Sequence, residues 1–176
     1  MNDIMLDLET MGQGPDAAII AIGAVGFDTE ANAIGERFYT PVDLASSVAE
    51  GGVIDASTVL WWLRQGDAAR GEFAKAGLPI RAALVAFTTW IARHFESKNV
   101  RVWGNGAAFD NVILSGAFRR AGMDTPWRYY NDRCYRTMKA QAPGITLVRS
   151  GTAHNAVDDA FDQAMHLLEI MASLRK

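Results

Sequence analysis

Cysteine is almost absent from this chain. Cys134 stands alone among 176 residues, so no internal disulfide can form. Stability must then come from a packed core, with a reducing cytoplasm as the expected setting and Cys134 as a small packed residue. Long hydrophobic runs are also missing. No apolar stretch approaches the roughly 18 to 20 residues needed to cross a bilayer, so no membrane span is expected. Met1-Asn2-Asp3-Ile4 has no basic region ahead of an apolar one, so no secretory leader is expected either. Basic charge is not in excess. Lys and Arg number 17 against 20 Asp and Glu, a formal charge of −3, which argues against a protein that coats nucleic acid over a broad surface. A protein that grips only a strand end escapes that argument, because clustered acids around divalent cations would account for the deficit. Repeats, low-complexity tracts and charge runs are lacking too, so 1–176 is read as a single domain.

What is present is ordinary globular material, 49% hydrophobic and 21% charged. Ile4–Leu8 reads as a first strand and Ala17–Phe27, apolar and β-branched, as a second, with turn chemistry in Gln13-Gly14-Pro15-Asp16 between them. Arg37–Val42 completes a meander of three. The period then changes. Asp55 or Ser57 is placed to cap a helix through Trp61 and Leu63. Pro79 suits the first turn of a helix over Ile80–Phe95. A short strand follows at Val100–Trp103, then a helix from near Ala108 to Ala121 ended by Gly122. Trp127–Asn131 reads as a fifth strand. The last helix covers Ala156–Leu174, with Leu167, Leu168 and Met171 on its apolar stripe and His94 and His166 on helix surfaces. The order β-β-β-α-β-α-β-α predicts an α/β domain with a mixed five-stranded sheet flanked by helices, as expected of a ribonuclease-H-like fold.

Asp7 and Glu9 are two apart on the first strand, so both leave one face while Leu6 and Leu8 leave the other toward the core. Burying two adjacent carboxylates without a counter-ion costs several kcal/mol, and a divalent metal removes that objection. An acidic, solvent-facing edge strand is the ordinary alternative. Asp110 lies in Val102-Trp-Gly-Asn-Gly-Ala-Ala-Phe-Asp-Asn111, in the first turn of a helix, where an acid also complements the helix dipole. Its turn closes a central strand, where open α/β sheets place ligands. His154 and Asp159 are five apart, about 140° from a common helix face. They converge only if His154 sits in the loop before the helix and Asp159 one turn inside it. Asp158 competes for that metal role.

These residues resemble the DEDDh group of 3′→5′ exonucleases. Leu6-Asp7-Leu8-Glu9-Thr10 is similar to the first motif, Ala107-Ala108-Phe109-Asp110 to the second, and His154-Asn-Ala-Val-Asp-Asp159-Ala to the third. The family's spacing of five selects Asp159 over Asp158. Leu60-Trp-Trp-Leu63, Trp103-Gly-Asn-Gly106 and Arg133-Cys-Tyr-Arg-Thr137 further resemble small phage-type, exodeoxyribonuclease-VIII-like exonucleases and the mycobacterial adenylate-specific exoribonuclease. Many members carry His-Asn where this chain has Asn105-Gly106.

The resemblance implies two Mg²⁺ or Mn²⁺ ions held by Asp7, Glu9, Asp110 and Asp159, with His154 as general base. It implies contacts from Thr10, Met11, Asn105 and Trp61 to the 3′ end of a single-stranded RNA or DNA. Nucleoside 5′-monophosphates would be released. Trp61 and Trp62 point about 100° apart on a helix, so at most one is expected to stack on a base. Arg64, Arg133 and Arg136 are candidate phosphate contacts. A homodimer is among the expected assemblies. The rival readings are a ribonuclease-H-type endonuclease and a non-catalytic nucleic-acid-binding scaffold.

Overall fold

The three-dimensional structure is a computed structural model describing residues 1–96, 99–151 and 154–175. Alternation along the first strand decides the layering. Strand β1 (Asp3–Thr10) sends Ile4, Leu6 and Leu8 to one face, and Asp3, Met5, Asp7 and Glu9 to the other. The first set joins Ile22 and Ala24 of β2 (Ile19–Asp28) in one core cluster. Met5 joins Val25 and Phe27 in a second cluster across the sheet. Each fully buried Leu, Ile or Phe contributes roughly 1.5 to 3 kcal/mol, so both faces need helical cover.

Strands β3 (Ala33–Pro41), β4 (Arg101–Gly104) and β5 (Asp132–Cys134) complete a five-stranded mixed sheet in the order β3-β2-β1-β4-β5. The β1–β2 and β2–β3 pairs are antiparallel; β1–β4 and β4–β5 are parallel. Helices α1 (Leu44–Ala49), α2 (Ala56–Leu63) and α3 (Asp67–Arg70), with a 3-10 turn at Gly71–Ala74, form an irregular stretch after β3. Helices α4 (Ile80–His94) and α5 (Asp110–Arg120) cover the Leu6–Leu8 face through Leu84, Phe87, Ile91, Ile113, Leu114 and Phe118. Helices α6 (Tyr135–Gln141) and α7 (Ala156–Leu174) cover the other through Tyr135, Ala160, Ala164 and Leu167.

The expected mixed five-stranded α/β architecture is present, with local differences: α1, α3 and α6 are additional to the expected helices. The fifth strand is Asp132–Cys134, and the preceding Tyr129–Asn131 winds into a 3-10 turn. Strand propensity in Trp127–Asn131 yields there to tertiary contacts: the indole of Trp127, buried against Phe87 and Phe118, donates to Asp132 Oδ1. Asp55 occupies the N-cap position of α2, but its carboxylate accepts from Gln13 N–H at 2.8 Å instead of capping the helix. His166 is not on a surface. It is buried, 2.6 Å from Tyr135 Oη through Nδ1 and 2.9 Å from the Ile145 carbonyl through Nε2. A carbonyl only accepts, so Nε2 carries a proton, and the ring braces α7 against Tyr135 and Ile145 in the core.

One glycine sets the approach of α7. A Cβ on Gly23, which pairs with Asp7 across the sheet, would lie 2.1 Å from the Ala156 carbonyl carbon. With only hydrogen there, the first turn of α7 rests directly on β2 beside Asp7.

Candidate active site

The site forms where the C-terminal ends of β1 and β4 meet the first turns of α5 and α7. Asp7 and Glu9 project from one face of β1, as two-residue spacing requires. Asp110 is the first residue of α5. Its Oδ1 accepts from the Leu8 N–H at 3.2 Å and its Oδ2 from the Asn105 N–H at 3.0 Å, so its carboxylate clamps β1 to the β4–α5 turn. Asp159 lies in the first turn of α7, and its Oδ2 accepts from the His154 N–H at 3.1 Å. His154 adopts the left-handed conformation, φ 64°, in the turn before α7. That backbone reversal supplies what helical geometry alone forbids: ligand atoms of Glu9, His154 and Asp159 all lie within 4.8 Å of one another. Asp158 turns away, its carboxyl packed against Gly151.

The electrostatics record the crowding. Burial first, then the charges of Asp110, Glu9 and Asp159, raise the Asp7 carboxyl well above its ordinary range. Burial and the neighbouring Asp159, Glu72 and Asp110 push Glu9 up to about 8. Burial raises Asp110 to about 7, against the opposing pull of backbone hydrogen bonds from Leu8, Asn105 and its own amide and of the Arg136 charge. The described side chains answer this negative potential only partly. Gln163 Nε2 donates to Asp7 Oδ1 at 2.8 Å, and the guanidinium of Arg149 pairs with Asp159 Oδ1. A cluster of buried acids that already draws a guanidinium fits a hard divalent cation. The donors are carboxylate oxygens with one imidazole and no thiolate, a set that fits a divalent cation.

A cavity of about 210 Å³ opens beside the acids, lined in part by Glu9, Thr10, Trp61, Trp62 and Phe109. The two tryptophans divide their roles. Trp62 is 3% exposed, and its indole N–H donates to the Thr10 carbonyl at 3.0 Å. Trp61 is 42% exposed and stands edge-on to the His154 ring at 5.0 Å. Of the expected substrate contacts, Thr10 and Trp61 line this cavity. Met11 does not; it packs with Ile20, Trp62 and Ala69, its backbone bonded to Ala18 and Asp55. Asn105 lies on the other side of Asp110, next to Arg136.

Sequence reasoning did not find Gln163, Arg149, Phe109 or Glu72. Gln163 was detectable, being four residues beyond Asp159 and therefore on the same helix face. Glu72 lies in an irregular turn that no periodicity marks. It accepts from Lys75, Tyr39 and Asn155. Burial works to raise its carboxyl, but those donors outweigh it and hold it below the ordinary value.

Solved structures share this architecture. The nuclease domain of 3′hExo, a DEDDh family member bound to rAMP, superposes with a TM-score of 0.64 at 11% identity, covering 97% of this chain and 92% of that one. Exonuclease I of E. coli in complex with a dT13 oligonucleotide gives 0.67 at 17% identity over 96% of this chain, which spans about two-fifths (40%) of that enzyme. The class these likenesses define is one of fold: a mixed five-stranded α/β sheet flanked by helices, shared with these exonuclease structures. More narrowly, the chain belongs to the 3′-5′ exoribonuclease Rv2179c-like domain family, whose sequence model matches residues 2–171. It is also 27% identical to an exodeoxyribonuclease of Enterobacteria phage T4, over 86% of this chain and 75% of that protein.

Proposed function

We propose that this single-domain enzyme, residues 1–176, removes nucleotides from the 3′ end of single-stranded RNA or DNA and releases nucleoside 5′-monophosphates. Asp7, Glu9, Asp110 and Asp159 would hold two Mg²⁺ or Mn²⁺ ions. The observation that carries this reading is the meeting of Glu9, His154 and Asp159 ligand atoms within 4.8 Å, beside two further buried acids.

Held by these carboxylates, divalent cations would supply neutralisation of charge on the phosphate and a lower pKa for water. His154 takes the proton of the attacking water. Its mobility is limited by the edge of Trp61 and by its own N–H bond to Asp159. The water oxygen bonds to phosphorus while the bond to the 3′-oxygen of the preceding nucleotide breaks; that oxyanion takes a proton from solvent, leaving a new 3′-hydroxyl and a 5′-monophosphate. Thr10, Trp61 and Phe109 form the recess for the terminal nucleoside, with Trp61 offering its exposed face for stacking. Asn105 orients Asp110 through its amide. Among the described residues no helix is long and apolar enough to cross a membrane. We extend the reading to a cytoplasmic setting, consistent with a lone cysteine. We extend it also to a homodimer, for which Leu60 and Leu63, exposed on α2, offer apolar surface.

The test is turnover of matched 5′-labelled DNA and RNA oligomers with Mg²⁺ and with Mn²⁺. Stepwise shortening with release of 5′-mononucleotides is expected, together with full loss in Asp110→Asn at an unchanged fold. Internal cuts in a 3′-blocked strand would instead establish the endonuclease reading.

A further inference from the structure

Asp110 connects two depressions. Its Oδ1 is held by the amide of Leu8, which lines the tryptophan cavity. Its Oδ2 is held by the amide of Asn105, which lines a groove of about 600 Å³ on the β4–β5 side, with Arg136, Lys139, Ala140, Pro143 and Ile145. The tryptophan cavity lies at the end of β1, whereas the groove lies beyond the end of β4, so Asp110 stands between them.

The groove is basic in a chain of net charge −3. Arg136 and Lys139 are three apart on α6, so both rise from one helix face, and both are exposed. Arg136 uses one guanidinium N–H on the Asn105 carbonyl, at 2.8 Å. The Lys139 ammonium has neither hydrogen bond nor ion pair among the described residues, and no carboxylate lines the groove. Gly106 turns the chain into the groove at φ 105°, a left-handed conformation that glycine favours, and its Cα lies beside the Arg136 guanidinium. Pro143 and Ile145 supply an apolar wall against which a sugar can rest.

We propose that this groove binds the internucleotide phosphates on the 5′ side of the bond being cut, with Arg136 and Lys139 as their counter-charges. The proposal rests on the exonuclease reading above and extends it. A strand whose terminal nucleoside fills the tryptophan cavity and whose scissile phosphate meets the acids leaves the site past Asn105. The groove is where its next charges find cations.

The experiment compares two substrates. A single-stranded heptamer fills the groove, whereas the p-nitrophenyl ester of thymidine 5′-monophosphate has a terminal nucleoside and a scissile phosphate but no strand beyond. Lys139→Glu and Arg136→Gln are each expected to lower the ratio of heptamer to ester kcat/KM by about tenfold, mainly through heptamer KM. Each lost contact should also flatten the dependence of log KM on log salt by about 0.7. A ratio unchanged in both variants at unaltered melting temperature, or equal losses on both substrates, would overturn the groove and leave the exonuclease standing. Wild-type protein that cuts neither substrate with Mg²⁺ or Mn²⁺ would remove the exonuclease reading itself.

Discussion

Asn155 donates from Nδ2 to Glu72 Oε1 at 3.1 Å, joining the start of α7 to an irregular turn 83 positions earlier in the chain. Its other end, Oδ1, accepts from Asp158 N–H and caps the helix that carries Asp159. Both halves of the amide are therefore committed, and the neighbouring His154 is held from the same side by Trp61. Glu72 reaches the site by its hydrogen bond to Asn155 and by its charge on Glu9, so its expected effect on turnover is that of a positioning residue. Truncation, Glu72→Ala, is expected to cost about 1 to 3 kcal/mol of stability through lost charge-assisted hydrogen bonds. It should lower kcat more than it raises KM. Glu72→Gln, which keeps an acceptor for Asn155, should recover most of kcat. Equal kcat in the Ala variant and the wild type would show that Asn155 needs no such anchor.

The buried acids give the metal-free protein an unusual pH dependence. Glu9 titrates at about 8 when folded, against an ordinary 4.5, and Asp110 at about 7, against 3.8. Folding therefore favours their protonated forms, so the stability they confer is complete below about pH 4 and disappears as pH rises through 7 and 8. Melting temperature in chelator should fall between pH 5 and 8.5. Saturating Mg²⁺ should reverse the slope, because cations compete with protons for the same oxygens. Asp110→Asn should melt higher than wild type in chelator at pH 8 while losing turnover. A flat profile in chelator would refute the electrostatic account.

Much of this was legible in the sequence for a definite physical reason. Period-two alternation put Asp7 and Glu9 on the face opposite Leu6 and Leu8, and a helix cannot bring His154 and Asp159 together without a preceding loop. What stayed hidden depends on tertiary contact. His166 lies on a helix whose pattern permits exposure, and only the docking of Tyr135 and Ile145 buries it. The fifth strand slipped because three residues, Asp132–Cys134, suffice when parallel pairing to β4 supplies the ladder. Glu72 and Arg149 come from irregular segments, where no residue spacing predicts a meeting with Asn155 or Asp159.

The tryptophan pair makes a contrast that mutation can read. Trp61, exposed beside His154, should be dispensable to the fold. Trp61→Ala is expected to leave melting nearly unchanged while weakening oligonucleotide binding by about 1 to 3 kcal/mol, the value of one stacked base. Trp62 is buried, with Phe73 at 4.8 Å between ring centroids and its N–H on Thr10. Trp62→Ala should cost about 3 to 5 kcal/mol of folding stability. Calorimetric melting and fluorescence-anisotropy binding separate the two, and a large melting loss for Trp61→Ala would reverse the assignment.

Gly23 offers the sharpest test of how the sheet carries the site, because it touches none of the reacting groups. It faces Asp7 across the β1–β2 ladder and lets the backbone of Ala156 lie where a methyl group would otherwise be. Flexible side chains can move aside; here the obstacle is main chain, so the first turn of α7 must shift as a unit. Asp159 lies in that turn, and Asn155 immediately precedes it. Gly23→Ala should therefore lower stability by about 1 to 3 kcal/mol, as overpacking does. It should weaken Mn²⁺ binding measured by titration calorimetry by more than the melting loss explains. Gly66→Ala, where a Cβ meets nothing within 4 Å, is the matched control. Unchanged Mn²⁺ affinity in Gly23→Ala would mean that α7 reaches the acids without this close seat.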